Sequence, residues 1–480
     1  MEKQPYHEWE IKHDLQIKNV DGFQYWNYMR RDMTMSFKDE YASLEPAFYA
    51  EMKEQGREGL LLKLKKAMLL LIPDTGSGAV KSDCLFLCHS RRQEIDGKMV
   101  SIYSDYVADR FPGSVTLQRS GLGKYKRDRI YSRNLYFLDK ISVKSYIYRY
   151  LMELFKRGEY RRVREQVYSD MEEPFRDLSE NYGLHPDPDA FADRVTILYY
   201  LYKYRRPRLE KLLKKISPRV IVEVVGLSFD AKIINELSYD LGIETIELQH
   251  GTGGLSLNYP EGKVMKQFVK WYFAFGDFWK AEMKPPIPSD HVISAGFPYH
   301  DMEMEAYPPE KRESGKNTVI FLSSRKYGKE LSEVAAELKK LRPETKVIFK
   351  LHPREYGEYK EKYTALRDVD LEVVDDNKTP LYALFSRCSM QVGVESTAIY
   401  EGMGFGLKTF IWDIPRAAAM RALVNSGSAT LFQDAKELSS LMERGEGEGT
   451  GYDSDSIWKK DSLNTIEREI RRIGGLAPMT

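Results

Sequence analysis

Cysteine is nearly absent. Three residues, Cys84, Cys88 and Cys388, stand among 480, too few for a disulfide framework and in no C-x-x-C pair suited to zinc. A reducing cytoplasm is therefore the expected setting. An excess of charge of either sign is missing as well. Lys and Arg total 73 against 72 Asp and Glu, which removes the basic bias of a nucleic-acid binder. Any electrostatic partner has to be read from local clusters. Long apolar runs are also lacking: the longest, Ala67 to Ile72, falls far short of the about 20 residues that span a bilayer. Met1-Glu2-Lys3-Gln4 leads into a polar stretch and not into a basic segment followed by an apolar one. The expectation is a chain neither exported nor integral to a membrane.

What is present is ordinary globular material, 42% hydrophobic and 30% charged, in a length beyond what one core usually serves, so two domains are expected. The first sixty residues are charged and aromatic, with helical pieces at Lys38 to Gln55 and Leu60 to Leu71, and read as an N-terminal helical cap. Asp83 to Cys88 is a short apolar strand that meets the polar loop His89-Ser90-Arg91-Arg92. Val115 to Leu117 and Tyr136 to Leu138 read as further strands, and helices dominate from Val143 to Lys215. Strand Arg219 to Val225, helix Asp230 to Leu241 and strand Ile243 to Leu248 follow, then strand-like runs at Trp271 to Gly276 and Val292 to Gly296.

Pro298 to Asn317, with Pro308-Pro309 and dense charge, reads as an interdomain linker. Beyond it the rhythm is clearer. Strands at Thr318 to Ser323, Lys346 to Leu351, Leu371 to Val374, Met390 to Val394 and Lys408 to Ile411 alternate with helices at Lys329 to Leu341, Tyr356 to Leu366, Pro380 to Arg387 and from Thr397. Such alternation implies parallel sheets with right-handed crossovers, an α/β fold of two Rossmann-like domains facing across a cleft. A charged helix, Ser462 to Arg472, closes the chain after the Gly-rich run Gly445 to Asp455.

Three polar constellations stand at strand carboxyl ends, where open α/β sheets bind ligands and helix N-termini favour anions. His352 follows an apolar strand, and Pro353 bars a regular continuation, so the imidazole is presented at the strand end. It can donate to a phosphate oxygen, with Lys350 and Arg354 adding charge. Glu395-Ser396-Thr397 marks a strand-to-helix change where hydroxyls and backbone N–H groups face a phosphate; an ordinary N-cap is the bland alternative. Glu401, one turn further, suits ribose hydroxyls. In the other half, His250 is followed by Gly251, Gly253 and Gly254, which let backbone approach a ligand. That imidazole suits a general base, with Glu223 and Asp230 the acids considered for orienting it.

Together, Gln249-His250-Gly251, Lys350-Leu351-His352-Pro353 and Glu395-Ser396-Thr397 with Glu401 resemble the motifs of bacterial surface-polysaccharide transferases of the GT-B fold. They are similar to those of His-Pro-motif sialyltransferases and polysialyltransferases and to those of teichoic acid glycerophosphotransferases. The likeness covers roughly residues 220 to 412. It implies a cytidine-nucleotide donor, CMP-sugar or CDP-linked, with His352, Ser396 and Thr397 on its phosphate, His250 as base, and no metal or other cofactor. Residues 1–300 would then form the acceptor-side domain and residues 301–480 the nucleotide-donor-binding domain. His89, Arg91, Arg92 and Gly251 would face an acceptor glycan or lipid-linked glycan. The sequence departs from the pattern in having Ser396-Thr397 for a Ser-Ser pair and in lacking Trp and Pro in the His250 loop. A CDP-polyol phosphotransferase, a UDP-sugar 2-epimerase and a non-catalytic glycan-binding subunit are the competing readings. The basic stretch Tyr199 to Arg219, with Glu210 its single acid, is either a solvated helix face or a contact with anionic lipid at the inner face of the plasma membrane.

Overall fold

The computed structural model describes residues 3–36, 80–88, 92–118, 129–251, 265–309, 318–324, 326–357, 359–376, 378–445 and 454–478. Two parallel sheets organise them. After helices α1 (Lys3–Lys12) and α2 (Tyr25–Ser36), the first domain runs through strand β1 (Cys84–Cys88) and a hairpin of β2 (Gln93–Ile95) with β3 (Lys98–Val100). It continues through helix α3 (Asp105–Asp109) and strands β4 (Val115–Gln118) and β5 (Leu135–Phe137), then three helices, α4 (Asp139–Phe155), α5 (Arg157–Tyr182) and α6 (Pro188–Ile216). Strand β6 (Val220–Glu223), helix α7 (Phe229–Leu241), strands β7 (Glu244–Leu248) and β8 (Trp271–Ala274), helix α8 (Asp277–Glu282) and strand β9 (Val292–Ser294) complete the sheet. Its strand order is β5-β4-β1-β6-β7-β8-β9, and the chain reverses direction between β1 and β6.

Helix α9 (Pro298–Ala306) leads to the second sheet: β10 (Thr318–Leu322), α10 (Gly328–Leu341), β11 (Lys346–Lys350), the short helix α11 (Tyr359–Lys362), β12 (Glu372–Val374), α12 (Leu381–Arg387), β13 (Met390–Gly393), α13 (Thr397–Gly404), β14 (Lys408–Trp412), α14 (Arg421–Asn425) and β15 (Thr430–Phe432). The order β12-β11-β10-β13-β14-β15 reverses between β10 and β13. Each domain is thus a doubly wound sheet whose ligand crevice is expected at its switch point. Strands β1 and β10 read as continuous apolar runs because both faces are covered, and every residue of each is buried.

Helix boundaries follow local chemistry. Asp187 accepts a hydrogen bond from Ala190 N and is followed by Pro188 at the first turn of α6; Ser228 accepts from Ala231 N at α7, which ends at Gly242 with φ 68°. The helices α1, α2, α4, α5 and α6 share one apolar cluster with the first sheet, and Trp9 ties α1 to α5 through its indole N–H on the Pro174 carbonyl at 3.0 Å. The helices expected at Lys38 to Gln55 and Leu60 to Leu71 lie outside the described residues.

Four expectations are revised. Residues 298–306 form a helix where a linker was expected, because Pro298 begins one and the helix packs beside the first domain. Tyr356 to Leu366 is no single helix; Gly357, at φ 84°, blocks its start and only Tyr359–Lys362 is α-helical. The short β15 and the β2–β3 hairpin were not anticipated. The terminal helices, α15 (Ala435–Glu443) excepted, return to the first domain. In α16 (Ser454–Ile457) and the turn behind it, Lys459 N donates to Phe275 O at 2.8 Å. In α17 (Ser462–Gly474), Ile466 and Ile470 join the core formed by β1, β6 and β7. Glycines make that return possible: a Cβ on Gly276 would sit 2.3 Å from Ser456 O, and one on Gly296 would sit 2.3 Å from Lys459 O.

Candidate functional site between the two sheets

Both sheets direct strand carboxyl ends into the space between them. On the first side, β7 ends at Leu248 and delivers Gln249 and His250. Gln249 is buried and doubly anchored: its amide N–H donates to Gly251 O at 3.1 Å, and its carbonyl accepts from Phe275 N at 2.8 Å. The loop start is therefore held rigidly to β8, and His250 is presented half-buried with its ring edge against Tyr103 at 6.3 Å. A Cβ built on Gly251 would stand 3.5 Å from Thr397 Oγ1, so the histidine loop of one domain touches the start of α13 in the other. Residues 252–264 lie outside the described residues, Gly253 and Gly254 among them.

Beneath His250 lies an acidic pair. Glu223 and Glu247 are in register on neighbouring parallel strands, so both side chains project from the same face of the sheet. They are 0% and 4% exposed. Gly226 makes room for them, since a Cβ there would lie 2.3 Å from Glu223 Oε1 and 2.6 Å from Glu247 Oε2. Asn235 of α7 donates to Glu223 Oε1 at 2.9 Å, and the backbone N–H groups of Val225 and Gly226 donate to Glu247. Val225 reaches that geometry with φ 70°, left-handed backbone that a β-branched residue disfavours at a cost on the order of 1–3 kcal/mol. Burial, and for Glu223 the neighbouring Glu247 charge, raise both carboxyls well above the ordinary range.

The acid nearest His250 is thus Glu247, with Oε1 at 3.7 Å from Nδ1. Glu223, considered for orienting it, stands one strand further back, and Asp230 is elsewhere, paired with Arg205 at 2.8 Å in the helical layer. The signal for Glu247 was in the sequence: an acid interrupting the apolar strand Thr245-Ile246-Glu247-Leu248, as Glu223 interrupts Val220-Ile221-Val222.

On the second side, Ser396 caps α13, accepting from Ala398 N at 3.1 Å, as its N-cap alternative anticipated. Its neighbour Thr397 carries the hydroxyl that faces Gly251. These residues follow β13, on one side of the sheet's switch point. The other side is Ser323, at the end of β10, a position not singled out from the sequence; it bonds Glu355 at 3.2 Å and Tyr363 at 3.1 Å. His352 follows β11, half-buried, and its carbonyl accepts from Glu355 N at 2.8 Å in the 3-10 turn Pro353–Glu355, where Pro353 is exposed. The side chain of Arg354 lies outside the described residues.

Lys350 takes a different part from the one expected. Its ammonium is buried and donates to the carbonyls of Leu351 at 3.3 Å and Asp376 at 3.2 Å and to the Tyr356 hydroxyl, so it braces the loop that carries His352. Burial lowers it to about 8. Glu401 stands beside Tyr382 and near Glu303, and burial with that second acid raises its carboxyl.

Arg92, expected to face an acceptor, is buried instead. It donates to Asp105 at 2.8 Å, Gln118 at 2.9 Å, Met99 O at 3.1 Å and Ser132 at 2.8 Å. An unpaired guanidinium could not be buried, so this arginine ties the end of β4 to β3, the start of α3 and Ser132. His89 and Arg91 lie outside the described residues. Along the basic stretch of α6, Lys203 pairs with Glu159, Arg206 with Glu236 and Asp240, and Lys214 with Glu210, Arg205 is buried against Asp230, and Lys211 and Lys215 are exposed. Among the described residues no helix is long and apolar enough to cross a membrane, and no three His, Cys, Asp or Glu side chains converge as a metal cradle. All three cysteines are buried thiols, Cys88 pushed up to about 12 by burial and by Asp105.

No protein-family profile matches the chain, and no curated protein matches it. Solved structures with a similar arrangement exist at low similarity. A UDP-GlcNAc 2-epimerase from Neisseria meningitidis is 12% identical, with 81% of this chain and 99% of that one covered and a TM-score of 0.45. The wall teichoic acid polymerase TagF is 9% identical over 90% of this chain and 99% of that one, with a TM-score of 0.46. The glycotransferase of kitacinnamycin is 12% identical over 82% and 96%, with a TM-score of 0.42.

Proposed function

We propose that this chain is a glycosyltransferase moving a sugar from a nucleotide-sugar donor, with a CMP-sugar favoured, to a surface polysaccharide or lipid-linked acceptor. The observation that carries the reading is the close approach of Gly251 to Thr397, whose Oγ1 would lie 3.5 Å from a Cβ built on the glycine, which brings a histidine loop on one doubly wound sheet to a helix start on the other. In this reading the donor phosphate lies at the Ser396-Thr397 end of α13, where the helix dipole and the Thr397 hydroxyl favour an anion. His352 donates to the departing phosphate oxygen. His250 takes the acceptor hydroxyl proton as that oxygen attacks the anomeric carbon, and the bond from carbon to phosphate oxygen breaks with its electron pair leaving on the nucleotide. A single displacement of this kind inverts the anomeric centre, and its charge development is met by side chains without a metal.

A ligand that binds only the folded chain raises the melting temperature. In a thermal-shift panel of CMP, CDP, UMP, UDP and GDP with and without EDTA, cytidine nucleotides should stabilise in both conditions. His352→Ala should remove most of the shift, whereas His250→Ala should keep it and lower kcat about 10²- to 10⁴-fold. Full transfer activity in both folded variants would refute the assignment. Stabilisation by UDP alone would select a UDP-sugar transferase or an epimerase, and no response to any nucleotide would select the glycan-binding subunit.

A further inference from the structure

We propose that Glu223 and Glu247 share a single proton at neutral pH, and that the remaining charge, held on Glu247, fixes the ring orientation and protonation of His250. The use of that arrangement in base catalysis rests on the transferase reading above; the arrangement itself does not. The geometry is asymmetric in the way such sharing needs. Glu247 bridges, with Oε2 directed at Gly226 beside Glu223 and Oε1 3.7 Å from His250 Nδ1. Two successive backbone N–H groups, from Val225 and Gly226, favour the ionised form on Glu247. Glu223 has one amide donor, Asn235, on Oε1, and its Oε2 has no hydrogen-bond partner among the described residues. That oxygen is where a carboxylic proton would reside.

Two carboxylates packed side by side without cations cannot both ionise. Among the described residues the neighbouring elements supply no cation. Strand β1 presents Leu87 opposite Glu223, and β8 presents Tyr272 opposite Glu247, its hydroxyl raised by burial and by that carboxylate. Helix α7 presents Asn235, while its Lys232 donates to the carbonyls of Asn27 at 2.9 Å and Tyr28 at 3.4 Å. Tyr103 covers the ring edge of His250. At 3.7 Å the approach of Nδ1 to Glu247 Oε1 is electrostatic and longer than a hydrogen bond; an Nδ1–H oriented by it directs Nε2 toward the acceptor's proton, and the imidazolium so formed is offset by the Glu247 charge. Glu247 is then a positioning residue and Glu223 the acid that keeps its pair singly charged.

Histidine-labelled full-length protein gives a readout that needs no substrate. In a ¹⁵N NMR titration of the His250 ring, assigned with His250→Ala, Glu247→Gln should lower the histidine's titration midpoint by about one pH unit, a tenfold change in its proton affinity. It should also broaden the tautomer preference from Nδ1–H toward a mixture. Identical midpoints and tautomers in wild type and Glu247→Gln overturn the proposal. Should that variant fail to fold, the second test is the pH dependence of unfolding in Glu223→Gln against wild type. Native carboxyls raised above their unfolded values contribute stability that is complete below the unfolded pKa and lost as pH rises through the folded one. Burial raises Glu247 by itself, so Glu223→Gln should keep part of the loss while wild type loses more stability between about pH 5 and 9, and parallel curves overturn the shared proton. Failure of the transferase reading shows separately, as transfer that survives His250→Ala, and leaves both results standing.

Discussion

The two rims of the cleft are built from opposite chemistry. The first sheet ends in buried acids, a strained turn and one histidine; the second ends in hydroxyls, a helix N-terminus and a histidine loop braced by a buried lysine. A phosphate placed against the first rim would meet Glu247 and be repelled, whereas the second offers it N–H groups and hydroxyls. The same doubly wound topology therefore carries a proton-accepting edge in one domain and an anion-accepting edge in the other. The difference lies in which residues interrupt the apolar strands at their last positions, not in the strands themselves.

The largest effect should come from crowding the acidic rim. Gly226→Ala places a methyl 2.3 Å from Glu223 Oε1 and 2.6 Å from Glu247 Oε2, both on buried side chains that are held by Asn235 and by the Val225–Gly226 turn. Neither can withdraw without losing its donors, so chemical denaturation should show a loss of about 3 kcal/mol. A loss below about 0.5 kcal/mol would mean that the pair is mobile and the rim loosely made.

A smaller effect is expected on the other side, where Lys350→Met removes the donor to the Leu351 and Asp376 carbonyls and the Tyr356 hydroxyl while keeping the stem's volume. Unfolding stability should fall by about 2 kcal/mol, while the nucleotide-induced thermal shift stays at the wild-type value. Loss of the shift with stability intact would instead make Lys350 a ligand-binding cation. The pH sign is also set. Because burial lowers the native lysine to about 8, the folded state binds fewer protons than the unfolded one from there to the ordinary lysine range. Wild type should accordingly gain stability relative to Lys350→Met between about pH 8 and 10.

The sequence carried the sheet strands well because each is a short β-branched or aromatic run bounded by polar residues, as in Val319-Ile320-Phe321-Leu322. It carried the position of His250, His352 and Ser396 for the same reason, each being the first polar residue or two beyond such a run. It did not carry what fills the space between elements. Lys350 reads as a cation beside the donor phosphate and Arg92 as one facing an acceptor because long basic side chains are mostly exposed, and only the fold brings Asp376, Gln118 and Asp105 to them. Glu247 is visible locally as an acid inside an apolar strand, but its weight comes from register with Glu223, a pairing across 24 residues that no local window contains. The return of α17 to the first domain is equally non-local, being enabled by Gly276 and Gly296 far upstream.

The smallest effect distinguishes two roles that the second rim assigns to one residue. Ser396 accepts from Ala398 N at 3.1 Å and thereby satisfies one of the free N–H groups at the start of α13. Ser396→Ala should cost about 1 kcal/mol of stability for the lost cap. Under the transferase reading it should also weaken nucleotide binding, since the hydroxyl proton is still free to point at a phosphate oxygen while the oxygen accepts from the backbone. Ser396→Asp separates the two. Aspartate caps as well as serine, so stability should return to the wild-type value, but its charge opposes a phosphate at the same helix end, so the CMP or CDP shift should vanish. Restored stability with an undiminished shift would move the anion away from α13 and break the contrast between the rims.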